Sequence, residues 1–247
     1  MVRVMNESGE NRDARLARAR CYPYCRPGAS YIWRGGAELP QARPLHPVHT
    51  GGRTPVLAVG SNRSPRQLAR KYGGNGQHTI PVQRAVLTGF DVVYAAHISA
   101  YGAVPAMLQA APGVAVKLFV TWLDDRQLEI MHATEGGYHF AAIENVAVAL
   151  EGGGALDTVY LYVGKMGHLV HADAPVSLRR VEADGRMNAA RDTDEMLRLV
   201  HERVGDPMPH DAFVLRLIED EGYRRACIGR IAEDAVPFEY PFRILEP

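Results

Sequence analysis

Four apolar residues, Val56 to Val59, run together, stop at Gly60, and give way to polar Ser61, Asn62 and Arg63 ahead of Ser64-Pro65. The branched run predicts a buried strand, the polar triplet a tight loop, and Ser64-Pro65 a helix start: the Ser64 hydroxyl can accept an orphan amide, and proline suits the first helical position. That helix runs through Leu68 to Tyr72. A strand that feeds a glycine loop at a helix start gathers several backbone N–H groups in one concavity with the positive end of the helix dipole behind them. Such a loop suits a carboxylate or a phosphate. Taken alone it also fits an ordinary capped turn, because neither G-x-x-x-x-G-K-[ST] nor G-x-G-x-x-G is present.

Further on, the pattern predicts strands at Val82 to Leu87 and Phe90 to Ile98, split near Thr88-Gly89, and a short run at Val104 to Leu108 that Pro105 confines to an edge or bulge. Val114 to Leu123 reads as a strand, followed by a helix that Asp124 caps and that reaches Met131. Tyr138 to Leu150 and Leu156 to Val163 form a hairpin across Glu151-Gly152-Gly153-Gly154. Helical spacing returns over Thr193 to Val204, with Asp192 and Glu195 in capping-box register, and over Asp211 to Ala232. These elements predict a β-rich core at 55–181 and a C-terminal helical subdomain at 188–247. Residues 1–54, rich in Pro, Gly and aromatics and lacking a period, are expected to be extended and partly disordered, with Tyr22, Tyr24, Tyr31 and Trp33 anchoring to the core.

Composition narrows the partners. Acidic and basic residues balance at 28 each, so there is no positive surplus to neutralise a nucleic-acid backbone. No apolar run reaches the roughly 18 to 20 residues a membrane span needs, and the charged N-terminus does not resemble a secretory signal. The cytoplasm is the expected compartment. Three cysteines, Cys21, Cys25 and Cys227, do not make a disulfide framework. Cys21 and Cys25 with His46 and His49 are a conceivable zinc set, although their spacing is longer than a zinc finger's and is interrupted by Pro40, Pro44 and Pro47. The leading expectation is therefore no metal and no cofactor. There is no G-x-S-x-G, H-E-x-x-H or C-x-x-C.

A second stretch, Trp122 to Phe140, changes the reading of the first. It carries Glu135-Gly136 followed by Tyr138 at the end of a short helix. Gly60, Ser61 and Asn62 after a strand, Gly102 to Leu108 in between, then Glu135, Gly136 and Tyr138 resemble the gamma-glutamylcyclotransferase-like (AIG2-like) family over about residues 55–165. Val59 stands where that family usually has Tyr, Arg63 where an apolar residue is common, and Met131-His132 where it has Leu-Asp. The resemblance implies an α+β fold: a small mixed β-barrel with flanking short helices, to which this chain adds a C-terminal helical extension. It also implies an enzyme that cyclises the gamma-glutamyl group of a small amine, amino acid or peptide to 5-oxoproline, with Glu135 as general acid/base. Val59, Gly60, Ser61, Asn62, Arg63 and Tyr138 are then the expected substrate contacts. The changes at Val59, Met131 and His132 motivate a rival, a non-catalytic module that binds a small anion or a protein. The C-terminal helices are expected to act as a lid, to extend the barrel, or to make a homodimer.

Overall fold

A computed structural model describes residues 11–24, 27–35, 37–40, 45, 47–73 and 76–245, with backbone alone at 37–40 and 47. Helices α1 (Arg12–Arg20), α2 (Pro47–Thr50), α3 (Pro65–Tyr72), α4 (Asp125–His132), α5 (Thr193–Val204), α6 (His210–Glu219) and α7 (Glu221–Ile231) accompany seven main strands. The strands are β1 (Tyr31–Arg34), β2 (Ala37–Pro40), β3 (Thr54–Leu57), β4 (Thr79–Tyr94), β5 (Ala106–Leu123), β6 (Tyr138–Leu150) and β7 (Ala155–Gly164).

Five of them close on themselves. β5 pairs β3, β3 pairs β7, β7 pairs β6, β6 pairs β4, and β4 returns to β5. The β3–β7 contact is parallel and the others antiparallel, so the barrel is mixed, as expected. Closure leaves no open edge among these five strands and buries alternate side chains such as Val92, Leu118, Ile143 and Leu161. The flanking helices make the architecture α+β.

Two expected breaks are absent. Gly89, at φ 86°, marks a register shift between Thr88 and Phe90, but β4 pairs with β5 on both sides of it, so the two runs form one strand. Pro105 precedes β5, and the short run after it is the beginning of that strand. Glycine lets a paired strand bend where the sequence pattern shows only an interruption.

The N-terminal stretch is more ordered than an extended segment. α1 is capped by Asn11, whose side chain accepts from the Ala14 amide, and β1 and β2 form a hairpin whose first strand adds to β4. Tyr31 and Trp33 are fully buried, which supplies the apolar area that orders a stretch without a helical or strand period. Arg20 joins α1 to Asp194 at 2.7 Å and Asp211 at 2.5 Å. Thr193 Oγ1 donates to the Tyr22 carbonyl at 2.7 Å. Residues 1–10, and Cys25 and His46 of the suggested zinc set, lie outside the described residues. Among the described residues no group of three or more His, Cys, Asp or Glu side chains could hold a metal.

The C-terminal helices share the barrel's own core: Met196, Val200, Phe213 and Leu217 belong to one buried cluster with Val92 and Val104. The helix expected over Asp211 to Ala232 is two, α6 and α7, separated at Asp220. Asp220 sits at φ −112°, ψ 100°, and its side chain accepts from the Tyr223 amide. An aspartate that caps the following turn competes with continuation of the preceding helix. The capping boxes at Asp124/Gln127 and Asp192/Glu195 are both formed. No helix among the described residues is long and apolar enough to cross a membrane.

Candidate active site

β3 ends at Leu57, and Ser61–Arg63 forms a single 3-10 turn before α3. The first amides of such a turn have no acceptor within it, which leaves the N–H groups of Gly60, Ser61 and Asn62 for another partner. Ser64 occupies the N-cap of α3, but its side chain makes no capping bond there. The expected hydroxyl cap is therefore absent.

On the other side, α4 ends in a turn in which the Glu135 amide bonds to the His132 carbonyl and the Tyr138 amide to the Glu135 carbonyl. These bonds bring Glu135 to the loop. Asn62 Nδ2 donates to Glu135 Oε1 at 3.0 Å, and Lys71 Nζ donates to the same oxygen at 2.5 Å. A cavity of about 550 Å³ opens beside them, with Val59, Gly60, Ser61, Asn62, Glu135 and Tyr138 among its lining.

Arg63 does not line it. Its side chain is fully buried, with Nη2 reaching the Arg180 carbonyl at 3.4 Å. Successive residues of a 3-10 turn project about 120° apart, so when Asn62 faces Glu135 the next side chain points elsewhere. Arg63 is a residue of the fold, in place of the substrate contact expected for it.

The sequence reading missed several lining groups. Gln67, Arg70 and Lys71, at i, i+3 and i+4 on α3, all reach the cavity. That polar face was the available signal. Arg18, Tyr22 and Tyr101 come from outside the two motifs, and no local pattern could place them. Arg18 lies over the Tyr101 ring at 4.8 Å and Arg70 over Tyr24 at 5.3 Å, so the lining includes cations set over aromatic rings. Gln67 Oε1 is buried without a hydrogen-bond partner, an acceptor suited to a ligand N–H.

Burial raises the hydroxyls of Tyr22, Tyr138 and Tyr162 above the usual tyrosine range. They are therefore hydrogen-bonding hydroxyls at neutral pH. Tyr138 donates to the Ala106 carbonyl at 3.2 Å. Glu135 is the carboxylate among the described residues that line this cavity.

Burial, with a smaller contribution from Arg224, pushes the pKa of His97, which lines the cavity, below 6.5. Burial lowers His132, His168 and His210 in the same direction. The fold favours the neutral rings. Their contribution is complete above about pH 6.5 and is lost as pH falls through that value, where the unfolded chain binds the extra protons. The urea midpoint is expected to drop between about pH 7 and pH 5, and His97→Gln to reduce that drop. Glu195, Asp206 and Asp211, whose pKa values are lowered from 4.5, 3.8 and 3.8, act in a separate and more acidic window.

No family model matches the chain, and no curated protein does. It is similar to solved structures. A structure titled gamma-glutamyl cyclotransferase is 15% identical, with a TM-score of 0.36, over 78% of this chain and 94% of that one. A crystal structure of an uncharacterised Homo sapiens protein is 16% identical, with a TM-score of 0.38, over 79% and 95%. A solution structure from Arabidopsis thaliana is 19% identical, with a TM-score of 0.37, over 74% and 90%.

Proposed function

We propose that this cavity cyclises the gamma-glutamyl group of a small amine, amino acid or peptide to 5-oxoproline and releases the amine. The observation that carries the reading is the meeting of Glu135 with the Gly60–Asn62 turn across one cavity, at 3.0 Å between Asn62 Nδ2 and Glu135 Oε1. Folding the substrate so that its α-nitrogen faces its own γ-carbonyl supplies much of the acceleration, since such intramolecular geometry is worth effective molarities of about 10⁵ to 10⁸ M. The remaining chemistry is proton transfer. Glu135 takes a proton from the α-ammonium, and the freed amine attacks the γ-carbon. Protonated Glu135 then gives that proton to the departing nitrogen as the carbon–nitrogen bond breaks. The surplus proton on the ring nitrogen passes to Glu135 and leaves on the released amine as an ammonium. The amides of Gly60, Ser61 and Asn62 offer donors to the γ-oxygen as it gains charge, or to the α-carboxylate, without reorganising.

The Lys71–Glu135 ion pair favours a second reading, a binding module in which the carboxylate is neutralised. A screen of gamma-glutamyl compounds for 5-oxoproline release, run beside calorimetric titration of the same compounds, separates the two. Product formation is expected. Heat of binding without product would favour the module.

A further inference from the structure

We propose that Lys71 is a positioning residue for Glu135, fixing which carboxylate oxygen exchanges protons with substrate. This rests on the cyclising reading above and assigns a function to a residue outside both sequence motifs. Lys71 and Asn62 both donate to Oε1, and no hydrogen bond to Oε2 is made among the described residues. Two donors converging on one oxygen set the plane of the carboxylate and leave Oε2 as the proton-transfer atom.

Glu135 needs such a constraint. It follows the last turn of α4 and precedes Gly136 and Gly137, neither of which has a side chain to pack against its own. Lys71 is itself held. Its side chain is 5% exposed and that of Glu135 14%, so water screens the pair little. Nζ also lies 3.1 Å from Met131 Sδ, a buried residue one turn before Glu135. Lys71 stands in the last turn of α3, the end of a helix whose dipole favours a cation. The ammonium thus arrives at the cavity from a rigid element.

The rival account is a plain staple between α3 and the end of α4. The two accounts part on kinetics. Lys71→Met, which retains the apolar stem, and Lys71→Ala are to be assayed for 5-oxoproline release beside Lys71→Arg, with folding checked by circular dichroism and thermal melting. Misplacing a reacting group by about 1 Å costs up to about 10²-fold, so kcat is expected to fall by about tenfold to a hundredfold with KM within about threefold. Arg is expected to restore part of the loss, and added ethylammonium to restore at least about fivefold in Lys71→Ala, whose vacated space admits it, and nothing in Lys71→Met. An unchanged kcat in the Met and Ala variants overturns the inference, as does a loss that neither Arg nor ethylammonium relieves. Those outcomes leave turnover by the unsubstituted chain intact; absence of turnover there overturns the cyclising reading and this inference together.

Discussion

Glu135→Gln is expected to lower turnover of a gamma-glutamyl substrate by about two to four orders of magnitude, the range over which a single general acid/base acts. The substitution isolates chemistry from architecture. A glutamine carbonyl in the place of Oε1 still accepts from Asn62 Nδ2 and Lys71 Nζ, so the bridge between the 3-10 turn and the end of α4 is kept in shape. What disappears is the ability to hold a proton between the α-nitrogen and the leaving nitrogen. The Lys71 ammonium, 5% exposed, loses a charged partner, so some stability is lost as well. Thermal melting beside the 5-oxoproline assay separates the two effects: a folded variant with turnover lowered a hundredfold or more is expected. A folded variant that turns over at the original rate removes Glu135 from the mechanism.

The sequence was most informative where short-range chemistry decides structure. The Asp124 cap and the Asp192–Glu195 capping box act over three residues, and both could be read before any fold was known, although Gln127 as the second arm at Asp124 emerged only in the structure. The β6–β7 hairpin was legible for the same reason, with Gly152, Gly153 and Gly154 all at positive φ. The junction of Asn62 and Glu135 was reached by a different route. It spans 73 positions, and only the resemblance of two motifs joined them. Lys71 shows where this approach ends. A lysine near the end of an amphipathic helix looks solvated, and its burial depends on α4 and β6 bringing Glu135 alongside. Arg63 fails in the opposite sense: a polar residue in a polar loop is buried because the 3-10 turn rotates it away from its neighbours. The core shared by barrel and C-terminal helices was equally hidden, since the return of helical spacing at Thr193 says nothing about which apolar faces meet.

Gly60→Ala is expected to disable the cavity from beneath. Gly60 has φ −114° and ψ −126°, so left-handed backbone is not what calls for glycine here. The obstacle is contact. A Cβ at this position lies 2.0 Å from the Tyr22 hydroxyl oxygen and 3.1 Å from the ring carbon that bears it. Tyr22 has little room to give way, because its hydroxyl accepts from the Ala106 amide at 3.0 Å and its carbonyl accepts from Thr193. The turn carrying the amides must therefore move. Overpacking of this kind costs about 1 to 3 kcal/mol, and a displaced turn about a hundredfold or more in kcat/KM. Tyr22→Phe removes the atom at 2.0 Å while depriving the Ala106 amide of its acceptor, which by itself costs about 1 to 3 kcal/mol. If the tyrosine hydroxyl is what excludes a side chain at position 60, the double variant is less destabilised than the sum of the singles by about 0.5 to 3 kcal/mol. Urea midpoints of the four chains measure that coupling directly. Strict additivity would mean that the glycine is needed for some reason other than the ring beneath it.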